Sequence, residues 1–231
     1  MIEIKKLLKR YGKPIAVDIP ELFIGENESF GLVGNNGAGK TTVLSLILDL
    51  IKANDGEIRI KGKNMAQSED WKNFTGSYID EGFLIGFLTV SEYLYFTGSL
   101  YGLNKKDVDD YQEKHDDFLS KEIFTDGKVI RDLSVGNKSK VGILSSLLGN
   151  PEILILDEPF ASLDPSSQMR LISMLQELQK DHNVTLLISS HDLNHITTVC
   201  ERIVLLENGK IIKDLDKRTD TLSELEEYFA V

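Results

Sequence analysis

Cysteine is almost missing from this 231-residue chain, and Cys200 is the single example. One thiol cannot close an internal disulfide, so a reducing compartment is the natural setting. Nothing around Cys200 supports a reactive thiolate, and it reads as a small core residue. Long apolar runs are missing too. Ile153–Leu156 is typical, far short of the roughly 20 residues that a membrane span needs. The opening residues Met-Ile-Glu-Ile-Lys-Lys lack the apolar segment of a secretory signal. Any membrane role is therefore expected to come through a partner. Positive charge is in deficit, with 26 Lys and Arg against 37 Asp and Glu, a formal net charge of −11. That balance argues against nucleic acid as a partner, since such surfaces normally show a basic face. There is no internal repeat, low-complexity tract or long linker. What remains, 41% apolar and 27% charged, is the composition of a soluble globular domain with enough chain for a full core.

Against this background one stretch stands out. Gly34–Thr42 reads Gly-Asn-Asn-Gly-Ala-Gly-Lys-Thr-Thr and fits the phosphate-binding pattern G-x-x-x-x-G-K-[ST]. The apolar Ser29–Val33 before it suits a buried strand. Val43, Leu46, Ile47, Leu50 and Ile51 after it recur at helical spacing. Gly34, Gly37 and Gly39 let the backbone turn and approach a phosphate, with Asn35, Asn36 and Ala38 between them. The amides of residues 37 to 42 then converge at a helix N-terminus, where the dipole favours an anion. Lys40 adds a mobile charge for the β and γ oxygens, and the Thr41 hydroxyl, beside Thr42, can ligate Mg²⁺. The chain is expected to bind a nucleoside triphosphate.

In order, residues 2–11 and 15–24 suit two strands of a hairpin. Asn54-Asp-Gly56 marks a turn into Glu57–Lys61, which alternates as an edge strand does, and Ser77–Asp80 suits another strand. Between about 82 and 149 the texture turns helical. Thr89 and Glu92 are spaced as a capping box. Val108, Tyr111, His115 and Phe118 or Leu119 fall on one face of a second helix, and a third spans 137–148. The α/β alternation then resumes with a buried strand at 153–156. Asp164 and Pro165 suit the N-cap and first position of a helix through Leu178. A strand at 184–189 and a helix at 192–200 follow. A hairpin turns on Asn208-Gly209, and a last helix capped by Thr221 and Glu224 buries Leu222, Leu225, Tyr228 and Phe229.

Three further groups carry chemistry. Asp157 and Glu158 end an apolar strand, the place where α/β sheets put their ligands. Asp157 is a candidate for Mg²⁺ or its water, and Glu158 for the base that activates an attacking water. His191 ends the next apolar strand and would face a γ-phosphate, whereas His115, His182 and His195 read as ordinary. Leu133-Ser-Val-Gly-Asn-Lys138 precedes a helix, so the Ser134 hydroxyl and the amides near Gly136 form a second, weaker anion site.

Taken together and in this order, these motifs resemble the nucleotide-binding subunit of an ATP-binding cassette (ABC) transporter over nearly the whole chain. Gly34–Thr42 corresponds to the Walker A loop, Asp157 and Glu158 to the Walker B aspartate and catalytic glutamate, and His191 to the switch histidine. Ala161–Asp164 corresponds to the D-loop. The resemblance places Tyr11 where an aromatic ring stacks on adenine. It implies an α/β P-loop NTPase (RecA-like) core with an antiparallel β subdomain and an inserted helical subdomain. This is one domain, residues 1–231, with the core at 1–81 and 150–231 and the lobe at 82–149. Two departures stand out. The signature, usually Leu-Ser-Gly-Gly-Gln, here reads Leu-Ser-Val-Gly-Asn through Ser134, Gly136 and Asn137. Val135 resists positive φ, at a cost of roughly 1–2 kcal/mol if the turn needs it. A weakened signature is the expectation. Asp80 occupies the usual glutamine position of the Q-loop, as in some drug and peptide exporters, and keeps an oxygen that could reach Mg²⁺.

The function so implied is an ATPase motor of a bacterial transporter, an exporter rather than an importer. ATP and Mg²⁺ are its ligands and a separate transmembrane permease subunit is its partner. The ATP state is a head-to-tail homodimer or heterodimer at the cytoplasmic face of the membrane. Two other readings stay open: a soluble ABC ATPase acting on DNA or ribosomes, and a weakly active subunit that binds ATP for regulation. The soluble members carry long coiled coils or tandem cassettes, which this chain lacks.

Overall fold

The computed structural model describes residues 1–119, 121–124, 127–217 and 221–229. Two sheets carry the fold. The first is antiparallel, in the order β2-β1-β4-β5, and is built from β1 (Ile2–Arg10), β2 (Ile15–Ile24), β4 (Asp55–Ile60) and β5 (Lys63–Asn64). β4 alternates as expected but is not an edge, because the two-residue β5 pairs along its far side.

The second sheet runs β10-β9-β3-β8-β7-β6. Its members are β3 (Ser29–Val33), β6 (Thr75–Tyr78), β7 (Ile153–Asp157), β8 (Thr185–Ser190), β9 (Arg202–Glu207) and β10 (Lys210–Asp216). All pairs are parallel except the β9–β10 hairpin. A parallel sheet is covered on both faces, which is why β3, β7 and β8 are buried end to end and read as continuous apolar runs. Successive side chains alternate between two cores. Ile153, Ile155 and Leu187 join the core under the antiparallel sheet and α1 (Lys40–Ile47). Leu154, Leu156, Leu186 and Ile188 join the larger core under the remaining helices.

Between β6 and β7 lie α2 (Val90–Leu100), α3 (Lys105–Lys114) and α4 (Val135–Leu147). The Thr89–Glu92 capping box forms as expected, and a second one, Asn104 with Asp107, opens α3. α5 (Pro165–His182) starts on Asp164 as N-cap, and α6 (Leu193–Val199) on Asp192.

Three helices differ from the periodicity. α1 stops at Ile47, since Asp49 has φ 51, and Leu50 beyond it is exposed. α3 ends at Lys114, so Phe118 and Leu119 reach the core from the turns that follow. In α7 (Thr221–Phe229) Thr221 is already helical and Glu224 binds Lys213 at 2.7 Å. There Leu222, Tyr228 and Phe229 are only half-buried.

Candidate functional site

The C-terminal tips of β3, β7 and β8 lie side by side, so their loops share one edge of the sheet. From β3 the chain enters Gly34–Gly39 and then α1. Gly39 has φ 108, a left-handed conformation that a side chain resists, and a Cβ there would lie 2.7 Å from the Ala16 carbonyl. The start of β2 therefore presses on the loop. Lys40, the first residue of α1, is only 6% exposed. Its ammonium donates to the Gly34 carbonyl at 2.7 Å and lies 3.1 Å from Glu158 Oε1, outside hydrogen-bonding geometry.

Asp157 ends β7. Burial pushes its carboxyl above the ordinary range, against the opposing pull of hydrogen bonds from Ser189 and Thr41. Glu158 follows at φ 45, a conformation costing about 1–2 kcal/mol for a residue with a Cβ. Its amide donates to Ser189 Oγ at 3.0 Å, holding it there. The turn aims the carboxylate between two elements, for Glu158 Oε2 meets His191 Nδ1 at 2.8 Å and the His191 amide at 3.2 Å. Lys40, Glu158 and His191 thus form a continuous chain across three strand tips, with Thr41 and Asp157 beside it. The arrangement combines a glycine-rich loop at a helix start, a buried cation, a carboxylate held by a histidine and a buried carboxylate near a hydroxyl. It is equipped to bind and cleave a phosphoanhydride.

Residues 18–161 match the ABC transporter family. The ABC transporter ATP-binding protein YhaQ of Bacillus subtilis is 35% identical over 91% of this chain and 69% of its own length. The bacitracin transport ATP-binding protein BcrA of Bacillus licheniformis is 31% identical over 93% and 69%. This chain belongs to the ABC transporter ATP-binding family.

Members of that family are ATPases coupled to transport. An A-family ABC transporter of Dictyostelium discoideum is 34% identical, and this cassette spans 23% of its length. A solved ATP-binding subunit of an ABC transporter superposes with a TM-score of 0.83 at 27% identity, over 100% of this cassette and 93% of that chain. The dimeric cassette MJ0796 shares the fold, with a TM-score of 0.85 at 24% identity, over 94% and 99%.

Elsewhere in the cassette, Ser134 is the N-cap of α4 and accepts from the Asn137 amide at 3.3 Å. Val135 is the first helical residue, exposed and outside the positive-φ region, so the expected strain is not there. Gly136 matters for a different reason. A Cβ on it would lie 2.5 Å from the Ser162 carbonyl, so the signature turn abuts the D-loop. Asp164 holds its own helix start, accepting from Ser166 Oγ and from the Ser167 amide and hydroxyl. These bonds keep its carboxyl far below the usual range.

One residue went unread in the sequence. Lys140, 7% exposed, reaches Asp164 at 3.4 Å and so ties α4 to the D-loop. Its signal was the four-residue step from Gly136, which puts both on one helical face. Two candidates stand apart from this cluster. Asp80 is exposed and caps the Gly82 amide at 2.6 Å. Tyr11 is exposed at the β1–β2 turn, with Lys9 Nζ 5.2 Å from its ring centre.

Among the described residues no group of three or more His, Cys, Asp or Glu gathers as a metal site. A divalent ion at Thr41 and Asp157 would take its other ligands from phosphates and water, as Mg²⁺ does. The Thr41 hydroxyl lies close enough to Asp157 to pull on its carboxyl, and the two oxygens suit a hard cation.

Proposed function

We propose that the cassette is the ATP-hydrolysing subunit of a bacterial exporter, driving a separate transmembrane permease from the cytoplasmic face of the membrane. What carries this reading is the Lys40–Glu158–His191 chain at the strand tips. ATP seats its phosphates on the amides of Gly34–Thr42, with the adenine against Tyr11. Lys40 leaves Glu158 for the β and γ oxygens. Thr41 and Asp157 would hold Mg²⁺, which would supply charge neutralisation at the phosphates, and Asp80 would offer an outer oxygen. Glu158, freed from Lys40 and aimed by its left-handed turn, accepts a proton from the attacking water. His191 keeps that carboxylate oriented towards the γ-phosphate.

In the ATP state two cassettes pair head to tail, as a homodimer or a heterodimer. Ser134, Gly136 and Asn137 of the partner subunit then cover the γ-phosphate. Asp164 lines the same junction. Val135 in ordinary helical backbone removes the main argument for a weakly active subunit. Asp80 and the relatives named for bacitracin transport favour export.

Residues 82–149 form the inserted lobe that meets the permease. Within it, Gly82–Leu88 splits into two roles. Leu84 packs on the core, while Phe83 and Phe87 are 59% and 72% exposed. Two exposed phenylalanines beside Asp80 suit an apolar docking groove for a cytoplasmic helix of the permease. Phe83→Asp should leave folding and ATP hydrolysis by the isolated cassette intact, yet abolish co-purification with the co-expressed permease. A variant that unfolds, or one that still co-purifies, moves the docking surface elsewhere.

A further inference from the structure

Lys40 and His191 account for the carboxylate end of Glu158, but a different side chain governs its backbone. β7 and β8 pair in parallel with Asp157 directly opposite Ser189. Side chains alternate along a strand, so Ser189 shares the face of Leu187 and Asp157 that of Ile155. Those two apolar residues lie in the core under α1. Ser189 and Asp157 therefore point to the side of the sheet that carries Lys40 and Thr41.

Ser189 is fully buried and Asp157 is 5% exposed. A hydroxyl has one proton to give and two lone pairs to offer. Here the proton goes to Asp157 Oδ1, while the Glu158 amide donates to the same Oγ at 3.0 Å. One side chain thus joins two neighbouring acidic residues, the first by its carboxylate and the second by its backbone. Two positions on, the His191 ring and amide meet Glu158 Oε2 at 2.8 and 3.2 Å. β8 and the turn after it grip Glu158 at both ends.

We propose that Ser189 is a positioning residue for hydrolysis, setting the base and the buried carboxylate in one register. The inference rests on Glu158 acting as the base. Glu158 holds φ 45, which a residue with a Cβ resists, so something outside the residue must fix it there. Its amide has a second acceptor, the Ser189 carbonyl at 3.2 Å, which any residue at 189 would supply. That bond keeps the strands together. The hydroxyl adds the link to Asp157, and without it each carboxylate can turn independently of the other. A displacement of about 1 Å at a reacting group can cost on the order of a hundredfold in rate.

The test is Ser189→Ala, made in the parent chain and in Glu158→Gln. The change removes one oxygen and keeps the backbone bond, so the variant should fold and bind ATP with a Kd within about twofold of the parent. Hydrolysis by the parent chain should fall about tenfold or more. In Glu158→Gln the same change should cost less than about twofold, because residues that act as a unit are not additive. Without nucleotide, the His191 ring resonances should move towards those of a Glu158→Ala chain. Ser189→Thr, which returns the hydroxyl on a residue suited to a strand, should recover much of the rate. The parent rate in Ser189→Ala, equal losses in both backgrounds, unmoved His191 resonances or an unfolded variant each overturn the proposal. A Glu158→Gln chain that hydrolyses at the parent rate removes the base itself, a result read without any change at Ser189.

Discussion

At Asp157 burial works against the charge that the site needs. The folded chain holds this proton to higher pH than the unfolded chain does, because desolvation outweighs the Ser189 and Thr41 hydrogen bonds. Stability tied to Asp157 is therefore greatest below the ordinary carboxylate range and is lost as pH rises through the raised value. Asp157→Asn removes that cost. It should raise the thermal midpoint at pH 7 while abolishing ATP hydrolysis, and the gain should vanish below about pH 4, where the carboxyl is protonated in both the folded and the unfolded chain. A parent chain that is the more stable at pH 7 would mean that the hydroxyls and Lys40 outweigh burial.

The signature makes a second prediction at this scale. Val135 is unstrained, so Val135→Gly should bring no tighter dimer and no faster turnover, and should cost at most about 1 kcal/mol of helix stability. Gly136→Ala, in contrast, drives a methyl into the Ser162 carbonyl and should slow hydrolysis while leaving nucleotide binding to the isolated chain unchanged. Both are read from steady-state rates and thermal melts.

The elements were largely legible because their signals are local. Ser29–Val33 as a strand, the Thr89–Glu92 box and the Asp164–Pro165 helix start each rest on a few neighbouring residues. Helix ends were less legible. Nothing in the apolar spacing of Leu50 and Ile51 announces that Asp49 turns left-handed. The strand tips carried Lys40, Glu158 and His191 as separate candidates, but their contacts depend on strand order, which no local signal encodes. Lys140 was hidden for the same reason, since its partner Asp164 is 24 positions away.

That pair makes the prediction at this scale. Lys140 is buried and joins the signature helix to the D-loop, two segments that the proposed dimer needs in register. Lys140→Met should preserve ATP binding by the monomer but lower hydrolysis and its dependence on protein concentration. Lys140→Arg, which keeps the charge and the reach, should restore much of both. Equal activity in the two variants would make Lys140 a packing residue only.

For the whole molecule, the account rests on Glu158 as the base in an ATP-closed pair of cassettes. No helix among the described residues is long and apolar enough to cross a membrane. In the proposed mechanism the driving energy comes from closing two composite sites and reopening them by hydrolysis. Glu158→Gln keeps nearly the same shape and removes the proposed base, so binding should survive while turnover falls by at least about a hundredfold. The most direct measurement is therefore light scattering of the Glu158→Gln chain with ATP and Mg²⁺, paired with its phosphate release. The account predicts a stable particle of twice the single-chain mass, releasing almost no phosphate. A variant that stays a monomer under ATP, or that hydrolyses at the parent rate, contradicts it.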